Sequence, residues 1–149
     1  MDKLISFRDI QINDFVRCQK ILSQLTNKNE IFSVESFSTL LASLKNDHRI
    51  IGCFYNDIEA ENEHLVGIGT ILIEHKLIHN CSCVGHIEDI AVDEKYRNLN
   101  IGKMLINNLV NIAKDKNAYK VILNCNQEKT GFYEKCGFHK SNFEMRINI

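Results

Sequence analysis

The spacing of apolar positions changes several times along the chain, and each change marks an element. Leu4-Ile5-Ser6-Phe7 has the pattern of a first strand. Asn13 then stands as a helix cap before Phe15, Cys18, Ile21, Leu22 and Leu25, which recur on one helical face. Ser33 caps a second helix carrying Phe37, Leu40, Leu41 and Leu44. Ile50 to Tyr55, Leu65 to Ile73 and Val84 to Val92 are β-branched runs separated by short polar segments, which predicts an antiparallel meander. Helical spacing returns at Ile101, Met104, Leu105, Leu109, Ile112 and Ala113, with Lys114 and Lys116 near the end where cations suit the helix dipole. Tyr119 to Leu123 predicts a short strand, Glu128 to Lys135 a short helix ended by Gly137, and Phe143 to Ile149 a last strand. The order β-α-α-β-β-β-α-β-α-β is α+β in class. Its crossover helix permits one parallel pair in a mixed, mostly antiparallel sheet flanked by helices.

Composition narrows this pattern to one ordinary domain over residues 1–149. The chain is 44% hydrophobic and 25% charged, with no Pro and no Trp. At this length folding buries roughly two-thirds of the chain's surface, enough for a core without disulfides or metal. No linker, repeat or low-complexity block divides it. Eighteen Lys and Arg against 19 Asp and Glu give a net charge of −1, so no global field draws the protein to nucleic acid or a membrane surface. No run approaches the ~20 apolar residues of a membrane span, and Asp2, Lys3, Arg8 and Asp9 interrupt any leader-like stretch. Of the six cysteines, several lie in apolar runs, among them Cys53 and Cys125, which fits buried reduced thiols in a cytoplasmic protein. His79, Cys81, Cys83 and His86 suggest zinc. The single residue between the two cysteines, inside a strand, is unlike the usual ligand spacing, so no metal is expected.

The segment from Ile87 to Lys103 reads as strand, turn and helix N-terminus. Such a turn presents unpaired backbone N–H groups and the positive end of a helix dipole, which suits a phosphate or pyrophosphate. Arg97 adds charge, and Gly102 permits close backbone approach. A turn with a purely structural purpose fits the same residues. Glu88 and Asp89, adjacent in a strand, are expected on opposite faces.

Arg97-Asn98-Leu99-Asn100-Ile101-Gly102, after Ala91-Val92-Asp93, resembles the R-x-x-G-x-G/A loop of the GNAT superfamily of acyl-CoA-dependent N-acetyltransferases, whose element order is also the one read above. Within it, Ile73 to His79, Gly85 to Val92, Tyr119 to Leu123 and Phe132 to Phe138 look like the blocks of the glucosamine 6-phosphate N-acetyltransferase family, in the same order. The likeness is dense from Val66 to Met145. It implies the GNAT fold and transfer of acetyl from acetyl-CoA to the 2-amine of D-glucosamine 6-phosphate. The products would be N-acetyl-D-glucosamine 6-phosphate and CoA, a step towards UDP-N-acetylglucosamine, made by a homodimer with no metal.

The resemblance also implies roles. Backbone groups of Ile90, Ala91 and Val92 pair with the pantetheine arm, and those of Arg97, Asn98, Leu99, Asn100, Ile101, Gly102 and Lys103 cradle the pyrophosphate. Glu88, Asp89 and Ile90 contact the sugar, with Glu88 as a water-mediated base. Tyr133 offers its phenol to the CoA thiolate, and Thr26, Lys76 and His79 lie in the substrate region. Three departures stand out. Asn100 replaces the first loop Gly and Asn98 stands where Gly is frequent; Asn tolerates positive φ better than other side chains. Asn124 replaces an Asp, and an amide is no base, so a role there falls to its carbonyl or hydrogen bonding. Asn148 replaces a phosphate-binding Arg, and Arg146, on the same face of the expected last strand, is placed to reach that phosphate. Two other readings remain: a GNAT enzyme acting on another amine, or a non-catalytic acyl-CoA-binding module. The Lys76/His79 and Glu88-Asp89 blocks favour the sugar phosphate, and Tyr133 with Glu88 favours catalysis.

Overall fold

The computed structural model describes residues 4–25, 32–57 and 62–149. Strands β1 (Ile5–Asp9), β2 (His48–Asp57), β3 (Asn62–His75) and β4 (Cys83–Val92) pair antiparallel in sequence order, and β5 (Ala118–Leu123) joins β4 in parallel. Only the parallel pair needs a crossover, and α4 (Ile101–Asp115) supplies it. The mixed sheet read from the sequence is therefore present.

Two apolar layers hold this sheet. On one face α4 buries Ile101, Leu105, Ile106, Leu109 and Ala113 in a cluster with Cys53, Val66, Ile71, Ile73 and Ile87. A Cβ at Gly85 would lie 2.8 Å from the Ala113 Cβ, so this small pair sets how closely α4 approaches β4. On the other face Cys18 and Ile21 of α1 (Phe15–Leu22) and Phe37 of α2 (Val34–Ser43) pack in a cluster with Ile10, Phe54, Leu65, Ile68 and Ala91. Burial pushes the Cys18 and Cys53 thiols up to about 12, so both stay protonated. Cys125 differs from its expected burial. It follows the end of β5 and is exposed.

The expected caps divide in the same way. Ser33 caps α2, its hydroxyl accepting from the Ser36 N–H at 3.1 Å. Asn13 lies instead in a 3-10 turn, Ile12–Asp14, and Asp14 precedes α1. The Asp14 side chain is buried and accepts from Arg8 at 2.6 and 3.1 Å and from the Gln11 N–H at 3.0 Å, while Arg8 also covers the Phe54 ring at 3.7 Å. Burial pushes the Asp14 carboxyl up; the bonds from Arg8 and Gln11 outweigh it and hold the group below its ordinary value.

Two segments depart from the sequence reading. Between β3 and β4 the chain makes one short turn, α3 (Ile78–Cys81), in which His79, Asn80 and Cys81 all have left-handed φ of 53°, 58° and 56°. The last strand expected at Phe143 to Ile149 is not formed. Phe143, Met145, Ile147 and Ile149 alternate as a strand would, yet all four are almost fully exposed, because β5 ends the sheet and this segment pairs with no strand among the described residues. The other elements follow their patterns, with a 3-10 turn, Gln127–Lys129, leading into α5 (Thr130–Lys135).

Leu105 is fully buried between α4 and the sheet. Leu105→Ala is expected to cost about 2–5 kcal/mol in denaturant unfolding through the cavity it leaves.

Candidate active site

The site begins where two strands part. β4 and β5 pair from Cys83 and Ala118 only as far as Ile87 and Leu123, yet β4 continues to Val92. Beyond Ile87 its β3 edge stays paired and its other edge faces a cleft. Backbone N–H and C=O groups on such an edge need a partner, and an extended amide-bearing ligand can supply one. Ile90, Ala91 and Val92 lie on this edge.

Asp89 bends the strand at the mouth of the cleft. Its φ is 53°, and the register with β3 shifts between Ile68 and Thr70. Ile87 and Ile90 both pack on the α4 side, so Glu88 and Asp89 occupy the span where alternation allows one residue. The expected placement of Glu88 and Asp89 on opposite faces does not hold through this bulge, and both are exposed. A one-residue bulge leaves no mark in the hydrophobic pattern when its residues are polar.

At the far end of the edge the chain turns into α4. Asn98 and Asn100 take φ of 66° and 62°, the left-handed conformation for which Gly is the usual residue. Asn100 occupies the cap position of α4 without a side-chain cap bond, so the N–H groups of Ile101, Gly102 and Lys103 are left for an anion. Arg97 is exposed beside them, its Nε donating to the Val92 carbonyl at 3.4 Å. Gly102 serves packing. A Cβ there would lie 3.1 Å from the Phe132 ring, so its absence lets α5 close against the start of α4.

Tyr133 is fixed by the way α5 ends. Gly137, at φ 93°, donates to the Glu134 carbonyl at 2.9 Å, and the Phe138 N–H reaches the Tyr133 carbonyl at 3.1 Å. The Phe138 and Phe132 rings flank the phenol at 6.2 and 5.0 Å between centroids. Burial is the main cause that raises the Tyr133 phenol above its ordinary value, followed by Cys125, Cys136 and Glu88, all within electrostatic reach. The phenol is therefore a neutral donor near pH 7. Glu88 and Tyr133 are brought to one cleft, and Asn124 lies where β5 ends, next to Cys125.

The sheet face opposite α4 carries the remaining polar groups. Lys76 donates to Glu74, and His86 Nε2 donates to the same carboxylate at 2.7 Å. These two bonds, from Lys76 first and His86 second, hold the Glu74 carboxyl below its ordinary range. His79 stacks on Tyr119 at 4.3 Å, with the Lys120 ammonium 5.5 Å from that ring. Arg146 stands apart, exposed and bonded to Glu144 at 2.8 Å, and Thr26 lies outside the described residues. Of the suggested zinc ligands, Cys83 donates to the Lys116 carbonyl at 3.3 Å, while His79 and His86 have the partners just named. The sequence suggests His86 only as a zinc ligand, gives Glu74 no role of its own and does not pair them. Their signal was strand alternation, which puts His86 on the face of Glu88 once the register is known.

Residues 11–138 match the family described as the acetyltransferase (GNAT) family. A rice protein, glucosamine 6-phosphate N-acetyltransferase 1, is 40% identical over 107 residues, which is 72% of this chain and 62% of that protein's length. The Dictyostelium discoideum protein of the same name is 33% identical over 150 residues, covering 100% of this chain and 94% of that one. The crystal structure of glucosamine-6-phosphate N-acetyltransferase from Arabidopsis thaliana superimposes with a TM-score of 0.83 at 30% identity, covering 97% of each chain.

Left-handed Asn100 costs the folded state conformational energy that glycine does not. Asn100→Gly is expected to leave the acetyl-CoA Kd, measured by calorimetry, unchanged or lower; a clear loss of binding would show that the Asn side chain itself is needed.

Proposed function

The chain belongs to the acetyltransferase (GNAT) family, as an acyl-CoA-dependent N-acetyltransferase, and on that premise we propose that it acetylates the 2-amine of D-glucosamine 6-phosphate. The observation that carries this reading is the unpaired β4 edge from Glu88 to Val92, which leads from two carboxylates at one end to the uncapped start of α4 at the other. An extended cofactor with an anionic end has its backbone partners and its phosphate site in one line. The relatives named glucosamine 6-phosphate N-acetyltransferase support the choice of amine.

The pantetheine amides pair with Ile90, Ala91 and Val92, and the pyrophosphate takes N–H groups between Arg97 and Lys103. This sets the thioester between Glu88 and Tyr133. The amine attacks the thioester carbonyl carbon; the C–N bond forms and the C–S bond breaks. The ammonium proton leaves through water to Glu88, and Tyr133 donates a hydrogen bond to the departing thiolate. Asp89 contacts the sugar, and Asn124 orients the amine through its carbonyl. Lys76, His79 and Thr26 belong to the substrate end.

A cytoplasmic homodimer is part of the same proposal. The exposed, alternating Phe143, Met145, Ile147 and Ile149 support a second copy as the partner for this segment, and Arg146 would then reach a sugar phosphate only in that assembly. The cysteines are free, which fits a reducing compartment. Among the described residues no helix is long and apolar enough to cross a membrane.

A thiol-release assay comparing glucosamine 6-phosphate, glucosamine and a peptide amine tests the assignment. The phosphorylated sugar is expected to dominate, and no release above background with it would reject the proposed acceptor. Tyr133→Phe is expected to lower kcat about 10- to 100-fold with little change in either KM, since only the hydrogen bond to the leaving sulfur is lost.

A further inference from the structure

The phosphate end of the cleft is held in part from the opposite face of the sheet. Between the end of β4 and Arg97 the chain makes a 3-10 turn, Glu94–Tyr96, and the N–H groups around it are mostly satisfied close by. Asp93 donates to the Val66 carbonyl at 3.0 Å, Lys95 to the Asp93 carboxylate at 3.0 Å, Tyr96 to the Asp93 carbonyl at 2.9 Å and Arg97 to the Glu94 carbonyl at 3.3 Å. The Glu94 N–H goes elsewhere. It donates at 3.0 Å to the Oε1 of Gln24, 70 residues away in the sequence. Gln24 stands just past the end of α1, where its own N–H bonds the Ile21 carbonyl at 3.1 Å. Ile21 is buried in the layer on the sheet face away from α4. One side chain thus ties that layer to the turn leading into the Arg97–Lys103 loop.

We propose that Gln24 is a positioning residue for the phosphate end of acetyl-CoA, acting through the Glu94 N–H on the loop that follows. The inference rests on the cofactor reading above, in which N–H groups between Arg97 and Lys103 take the pyrophosphate. To do so they must point one way, yet Asn98 and Asn100 hold left-handed φ of 66° and 62° in this stretch. Such conformations persist only where neighbouring structure fixes them. After the loop, buried Ile101 anchors it to the α4 core. Before the loop the anchors are buried Asp93, the Tyr96 ring 6.0 Å from that of Tyr55, and Gln24, which reaches the turn from α1. Without the Gln24 amide, water satisfies the Glu94 N–H but does not fix its place. The loop then spends less of its time in the arrangement that faces an anion, and cofactor affinity falls by that fraction. Glu88 and Tyr133 take no part in this contact, so the transfer step keeps its rate.

Calorimetry with CoA on Gln24→Leu tests this, since leucine keeps much of the bulk and cannot accept a hydrogen bond. The Kd is expected to rise about three- to tenfold, the scale of one hydrogen bond, while the midpoint of denaturant unfolding stays at the wild-type value. Thiol release with two donors gives the second readout. Acetyl-pantetheine carries the thioester and both amides of acetyl-CoA but no phosphate. Its kcat/KM is expected to be equal in the wild type and in Gln24→Leu, whereas kcat/KM for acetyl-CoA falls in step with the Kd and kcat holds. A glutamine that merely supports the fold would, when replaced, weaken both donors alike. An unchanged CoA Kd, or equal losses with the two donors, overturns the inference. Failure of glucosamine 6-phosphate to accept acetyl from either donor, beside a raised CoA Kd and an unchanged unfolding midpoint in Gln24→Leu, rejects the acceptor and upholds the role of Gln24.

Discussion

The parting of β4 from β5 after Ile87 is the constraint on which the rest of the molecule depends. Up to that point the two strands satisfy each other's backbone groups; beyond it β4 keeps one paired edge and one open edge. Buried or half-buried peptide groups need partners, so an open edge inside a fold is costly unless a ligand completes it. The divergence is built from both sides. Asp89 bends β4 through a left-handed bulge, and the chain after Leu123 leaves the sheet for the turn that starts α5.

Several departures from ordinary backbone conformation border this cleft. Asp89, Asn98, Asn100 and Gly137 have positive φ there, while His79, Asn80, Cys81 and Asn117 take it at the other end of β4 and β5, in the β3–β4 turn and just before β5. Such strain persists only where the surroundings over-determine it. Here the surroundings are the α4 core on one side and the Phe132–Tyr133–Phe138 rings on the other. At the opposite end of the sheet, half-buried Arg8 and buried Asp14 tie β1 to the start of α1, and among the described residues no buried side-chain nitrogen or oxygen lacks a hydrogen-bond partner.

The two sheet faces have different duties. The α4 face is a continuous apolar core. The other is covered by α1 and α2 around Ile68 and Phe54, and farther along β3 and β4 it turns polar at Glu74, His86 and Glu88. Charges there keep a solvated, adjustable environment that a buried layer would not tolerate. An open strand edge in the cleft and a charged face beside it meet at Glu88.

Much of this was legible in the amino-acid sequence because it depends on periodicity. The α4 stripe, the meander, the Ser33 cap and the Gly137 stop are local choices in which each residue's propensity agrees with the fold. Asn98 and Asn100 were legible as left-handed positions through the loop resemblance, since they stand where Gly is usual and Asn tolerates positive φ. The bulge at Asp89, the sharing of Glu74 by Lys76 and His86, and the closeness of Glu88 to Tyr133 were not, since each joins residues by register or by packing between strand and helix. The Phe143 to Ile149 segment shows the boundary most plainly. Its alternation is that of a strand, but a strand exists only when another strand completes its hydrogen bonds. The sequence by itself determined which elements this chain can form and which turn opens α4. Only the tertiary structure decided where β4 is left unpaired and which charges meet beside it, because both follow from how distant segments share one set of backbone bonds.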